Sequence, residues 1–203
     1  MRLTHSLKSI SLKICISTLL LLSACAPKPT FNGVDITGAD YANGFSFKDQ
    51  QGKSLSMDSF KGKVVALFFG YTQCPDVCPT TLSEFKQIKD TLADEGNKLQ
   101  VLFVSVDPKR DTPEVLKAYV SNFDSTFIGY SPAPEDLDQI AKSFKIYYKK
   151  VPSSSTDPNA YTVDHSAGTY LFDTQGRIRL FIRYGMPSQA LTQDIKSLMA
   201  EAH

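Results

Sequence analysis

VVALFFGYTQCPDVCPTTL, residues 64 to 82, changes its periodicity halfway along. Val64 to Phe69 form a continuous apolar run, the pattern of a strand buried on both faces. From Thr80 the period becomes helical: Leu82, Phe85, Ile88 and Leu92 recur at three- and four-residue steps, and Gly96 stands where a C-cap belongs. Between the two lie Cys74 and Cys78, separated by three residues. The order predicts that Cys78, followed by Pro79, sits at a helix N-terminus, where unpaired N–H groups and the helix dipole favour thiolate over thiol. Thiolate is the form that attacks disulfides and binds soft metals.

Outward from this stretch the elements alternate. Phe45 to Met57 reads as a hairpin turning near Gly52. Leu99 to Val106 is a second buried strand, and Asp111-Thr-Pro-Glu114 opens a second helix with a capping side chain, Pro in the first turn and Glu at the positive end of the dipole. Phe127 to Tyr130 is a short strand; Leu137, Ile140, Ala141 and Phe144 mark a third helix. Thr169 to Phe172 and Ile178 to Tyr184 make a hairpin through Asp173-Thr-Gln-Gly176, and Leu191, Ile195 and Leu198 the last helix. Strand, helix, strand, helix implies parallel strands joined by crossovers. With the cysteines at a strand-to-helix junction, the fold class is α/β: a thioredoxin-like central sheet flanked by helices, with an N-terminal hairpin extension.

The N-terminus bears on the compartment. Arg2, Lys8 and Lys13 precede an apolar run from Ile14 to Leu22, and no acidic residue intervenes. Ser17 and Thr18 interrupt a run already shorter than the about 20 residues of a membrane span, so residues 1–24 read as a secretory signal peptide. Leu22-Ser-Ala-Cys25 resembles a bacterial lipobox, which implies cleavage before Cys25, lipidation of its sulfur and a membrane anchor. Residues 25–41, rich in Pro, Gly, Thr and Asn, read as a tether, and 42–203 as the domain. The expected location is the cell envelope, on the extracytoplasmic face of a membrane, facing the periplasm if the cell has one. The 22 basic and 21 acidic residues of the whole chain become 19 and 21 without the leader, whose three charges are all basic. That balance gives no electrostatic reason to bind nucleic acid, and none is expected as a partner.

A structural disulfide between Cys74 and Cys78 would close a loop of about five residues and stabilise by only roughly 2 kcal/mol. A peroxidase of the peroxiredoxin type needs Thr three residues before its reactive cysteine, where Tyr71 stands before Cys74 and Pro75 before Cys78. A thioredoxin-type oxidoreductase has two residues between its cysteines and a proline before the strand that faces them. Here that segment is Val163-Asp-His-Ser-Ala-Gly168 and offers His165 instead. Two thiolates and one imidazole suit Cu(I) as a trigonal site, and Cu(II) with an added oxygen or water ligand. Zinc accepts the same donors but usually takes four. Disulfide exchange and metal binding both remain open to such a set.

Phe69 to Leu82, Val104-Ser-Val-Asp-Pro-Lys-Arg-Asp-Thr-Pro113 and Val163-Asp-His-Ser166 resemble the three signature segments of the Sco/SenC family. The resemblance extends from about Phe45 to the C-terminus. It implies a membrane-tethered copper chaperone whose metal ligands are Cys74, Cys78 and His165, and whose partner is the CuA-bearing subunit of cytochrome c oxidase or another copper acceptor. The alternative is a thiol-disulfide oxidoreductase in which Cys74 and Cys78 reduce the acceptor's cysteines before metallation. Many members carry His where this chain has Gln73, a position outside the three ligands.

Other residues have two readings. Asp76 steers a cationic partner or serves a Pro-Asp turn. Asp107, Arg110 and Asp111 build a turn and helix cap, or dock a partner at the cysteine end of the sheet. Asp164 orients the His165 ring or ends a loop. Lys149 and Lys150 form a solvated edge. Residues 152–159 form a loop able to close over the site. His203, at the chain end, is read as frayed.

Overall fold

The computed structural model describes residues 30–42, 45–48, 53–154, 156–157 and 160–201. In chain order its strands are β1 (Val34–Asp35), β2 (Ser46–Lys48), β3 (Ser54–Ser56), β4 (Val64–Gly70), β5 (Leu99–Ser105), β6 (Ile128–Tyr130), β7 (Tyr148–Pro152), β8 (Tyr161–His165), β9 (Thr169–Phe172) and β10 (Ile178–Ile182). The α-helices are α1 (Val77–Thr91), α2 (Pro113–Ser121), α3 (Pro134–Ser143) and α4 (Ser188–Ala200). The leader, Cys25, the Gly52 turn and His203 lie outside the described residues.

All seven residues of β4 and all seven of β5 are buried, as their unbroken apolar runs require. They pair in parallel from Val64 opposite Leu99 to Gly70 opposite Ser105, and β6 extends the parallel set. On the other flank β9 runs antiparallel to β4, β10 to β9 and β1 to β10, so the six-stranded order is β1-β10-β9-β4-β5-β6. Phe68, Phe69, Phe85, Phe103, Phe144 and Phe172 are fully buried across this core. Each contributes about 1.5–3 kcal/mol by leaving water. The β2–β3 hairpin stands outside the main sheet and packs Phe47 against Phe60 and Tyr130. This is the expected thioredoxin-like sheet with its hairpin extension.

Three features differ from the sequence reading. Helix α1 ends at Thr91, and a 3-10 turn, Ala93–Lys98, follows. Ala93, not Gly96, takes the left-handed backbone there, at φ 50°. Gly96 is instead required for closeness, since a Cβ on it would stand 2.4 Å from the Lys89 carbonyl oxygen. Second, β7 and β8 form a separate antiparallel hairpin that the sequence did not announce. Third, the described part of the stretch read as tether already belongs to the domain. Asp194, buried in α4, accepts the Asn32 and Gly33 amides at 2.9 and 2.7 Å and the Asn32 side chain at 2.9 Å, which lays β1 along β10. The domain therefore begins near Phe31.

Those bonds predict a local effect. Asp194→Ala frees the first strand at a cost of about 1.5–3 kcal/mol, the net worth of hydrogen bonding to a charged acceptor. Limited proteolysis should then cut before residue 40 much faster than in the parent protein, with the core transition little changed. Equal cutting rates would refute the anchoring.

Candidate metal centre

Strand β4 ends at Gly70, and the chain turns through residues 71–76 into α1, so both cysteines stand at one end of the central strand. The Cys74 amide donates to the Tyr71 carbonyl at 3.2 Å, closing the turn. Thr72 is pinned by Asp111, whose carboxylate accepts its amide at 3.1 Å and its hydroxyl at 2.6 Å, and the Ser105 hydroxyl at 2.6 Å. Asp111 is fully buried, and that burial raises its carboxyl above the usual range against the pull of these three donors. The cap of α2 falls to Thr112, which accepts the Val115 amide. Asp111 thus holds the cysteine loop in place of capping the helix.

The sulfurs of Cys74 and Cys78 and a ring nitrogen of His165 lie within 4.8 Å of one another, the single such group of His, Cys, Asp or Glu among the described residues. His165 Nε2 is 3.5 Å from Cys78 Sγ, and Nδ1 is 3.0 Å from the Ser166 carbonyl. A carbonyl only accepts, so Nδ1 carries the hydrogen and Nε2 turns its lone pair to the sulfurs. That orienting role belongs to Ser166 rather than to Asp164, which is exposed and pairs with Lys149 across the hairpin. The ring meets Tyr71 edge-on at 5.8 Å and Phe68 at 6.2 Å. His165 closes β8, so the residue comes from a strand end and not from a free loop.

The sulfurs are not equivalent. Cys74, 9% exposed, has its thiol lowered to about 4 by a hydrogen bond from Cys78, against the cost of burial, with further help from the Asp76 and Cys78 amides. Cys78, 0% exposed, is driven strongly upward by that same sharing and by burial. The pair holds one proton, on Cys78. The sequence reading placed the favoured thiolate on Cys78. The structure shows the amides at the start of α1 serving Cys74, while Cys78 lies inside the first turn beneath the sheet. Alkylation of the reduced protein should therefore occur first at Cys74, at a rate flat from pH 8 down to about pH 5 and falling as pH drops through about 4. Peptide mapping after brief iodoacetamide treatment reads it; labelling first at Cys78 would contradict it.

Asp107, Arg110 and Asp111 emerge at this same end. Arg110 pairs with the fully buried Asp107, which also accepts the Tyr161 hydroxyl at 2.8 Å. The side chain of Gln73 accepts from Arg110 at 2.9 Å. Asp76 precedes α1 without a side-chain capping bond. Lys150 stacks over Tyr161 at 4.7 Å, so it is more than a solvated edge. Sequence reasoning did not single out Tyr161, and its only signal was an aromatic four residues before His165.

A family model described as SCO1/SenC matches residues 34–200. The "SCO2-like protein" of Rickettsia felis is 38% identical over 172 residues, which span 83% of each chain. The structure of Bradyrhizobium japonicum ScoI with copper bound is 39% identical, with a TM-score of 0.67 over 76% of this chain and 98% of that one. A SCO1/SenC family lipoprotein from Bacillus anthracis is 26% identical, with a TM-score of 0.64 over 79% of this chain and 98% of that one.

Proposed function

This chain belongs to the SCO1/SenC family, and we propose that it is a copper carrier of the cell envelope, holding one copper ion through Cys74, Cys78 and His165. The observation that carries the reading is the convergence of two buried sulfurs and one half-buried imidazole nitrogen within 4.8 Å. The donor set fits copper: two soft sulfurs and one imidazole satisfy Cu(I), whereas a structural zinc ion would call for a fourth ligand. The copper-bound relative supports the same choice. Cu(II) is accommodated where an oxygen or water ligand is added.

The acceptor we propose is the CuA-bearing subunit of cytochrome c oxidase. Acceptor thiolates replace the protein's donors one at a time, copper keeps its oxidation state, and Cys78 recovers its proton as the ion leaves. The leader at residues 1–24 and lipidation of Cys25 would hold the protein to the extracytoplasmic face of a membrane, a reading supported by the Bacillus anthracis lipoprotein. No helix among the described residues is long and apolar enough to cross a membrane.

The low-lying Cys74 thiol favours a second reading, reduction of the acceptor. Cys74 thiolate attacks the acceptor's disulfide, a mixed disulfide forms, and Cys78 displaces it after losing its proton. The carrier ends oxidised and the acceptor holds two thiols. The two readings separate in one experiment: Cu(I)-loaded protein mixed with reduced CuA domain, and metal-free reduced protein mixed with disulfide-bonded CuA domain. Copper transfer in the first mixture supports delivery. Reaction confined to the second moves the assignment to thiol reductase.

A further inference from the structure

His165 is carried on a hairpin that shares no hydrogen-bonded ladder with the main sheet. The two sulfurs are set by β4 and α1, whereas the imidazole is tied to the main sheet through the short link from His165 to Thr169, which pairs with Phe68 of β4. Side chains complete the alignment: Tyr71 meets the imidazole from the cysteine loop, and Arg110 hydrogen-bonds to both sides. Arg110, on the loop after β5, has a side chain only 9% exposed. One guanidinium nitrogen, Nη1, donates to Gln73 Oε1 at 2.9 Å and to the Tyr161 carbonyl at 2.9 Å. The guanidinium lies 3.6 Å from the Tyr161 ring centre and 5.7 Å from that of Tyr71. Gln73 is the residue before Cys74, and Tyr161 opens the strand that ends at His165. Asp107, accepting from both Arg110 and the Tyr161 hydroxyl, fixes the guanidinium to its own loop.

From this arrangement we infer that Arg110 is a positioning residue for the copper site: it clamps β8 to the cysteine loop and so holds His165 at coordinating distance from the two sulfurs. The inference rests on the copper reading above. A planar guanidinium suits the task because it offers stacking faces and in-plane donors together, which an ammonium does not. It also gives Gln73, outside the proposed ligand set, a reason to be polar.

The test compares Cu(I) affinity, by competition with a chromophoric Cu(I) chelator, and the nitrogen neighbours of bound copper, by X-ray absorption, in the parent protein and in Arg110→Lys. Lysine keeps a positive charge beside Asp107 but loses the stacked plane and the double contact. The expected result is a fall in affinity of about 10- to 100-fold, the cost of removing a group that supports a ligand, with a weakened nitrogen signal. Combined with His165→Ala, Arg110→Lys should add nothing, because it acts through that imidazole. Should Arg110→Lys not fold, Gln73→Leu, at an exposed position, carries the same comparison with a smaller fall. Unchanged affinity and nitrogen signal overturn the clamp, as does an equal fall with and without His165. A parent protein that binds no copper overturns the copper reading, and the clamp with it.

Discussion

Replacing His165 with alanine is expected to lower Cu(I) affinity by more than about 100-fold, since loss of a mere supporting group already costs 10- to 100-fold. The protein should still fold. The imidazole is half buried at the end of a two-stranded hairpin, and the core residues it touches, Phe68 and Tyr71, keep their other neighbours. Chelator competition gives the affinity, and a thermal melt shows that the fold persists. Disulfide exchange, which needs only the sulfurs, should survive the substitution far better than copper binding. An affinity close to that of the parent protein would remove His165 from the ligand set.

A second large effect is expected one strand end away, from Gly70→Ala. A Cβ at position 70 would lie 2.6 Å from Cys78 Sγ and 2.9 Å from the Phe103 ring, where ordinary heavy-atom contacts need about 3.5–4.0 Å. The backbone has little room to retreat: Gly70 pairs with Ser105 across the parallel ladder, and its carbonyl accepts the Val106 amide at 2.8 Å. Phe103 is fully buried between Phe68 and Tyr119. The sulfur is left to move. Overpacking of this kind costs about 1–3 kcal/mol, and displacement of Cys78 should weaken copper binding as well. Urea unfolding and chelator competition read the two losses. Preservation of both would mean that the sulfur does not depend on the empty space at Gly70.

The strand, the cysteine pair and the helix were legible because each rests on local chemistry: an unbroken apolar run, a 3.6-residue period, two thiols between them. His165 was legible from the segment leading to β9. What escaped depends on partners distant in sequence. Val34 and Asp35 are both exposed and carry no pattern, yet they form a strand because Asp194, some 160 residues on, gathers the amides just before them. The β7–β8 hairpin escaped for a related reason. Tyr148–Pro152 has no buried position and β8 has one, Val163, so neither shows an alternating apolar face. Its ladder is reinforced by Arg110 and Lys150 stacking on Tyr161. The division of labour between the sulfurs could not be read from a helix start alone. It turns on which sulfur the sheet covers, and Cys78, with Gly70 of β4 against its sulfur, is the more deeply buried.

X-ray absorption on the reduced, copper-loaded protein, with the metal content of the same sample determined alongside, tests the central claim most directly. The account predicts one copper per chain bound by two sulfur atoms and one imidazole nitrogen. Copper bound by sulfur alone, or well below one ion per chain, would contradict it.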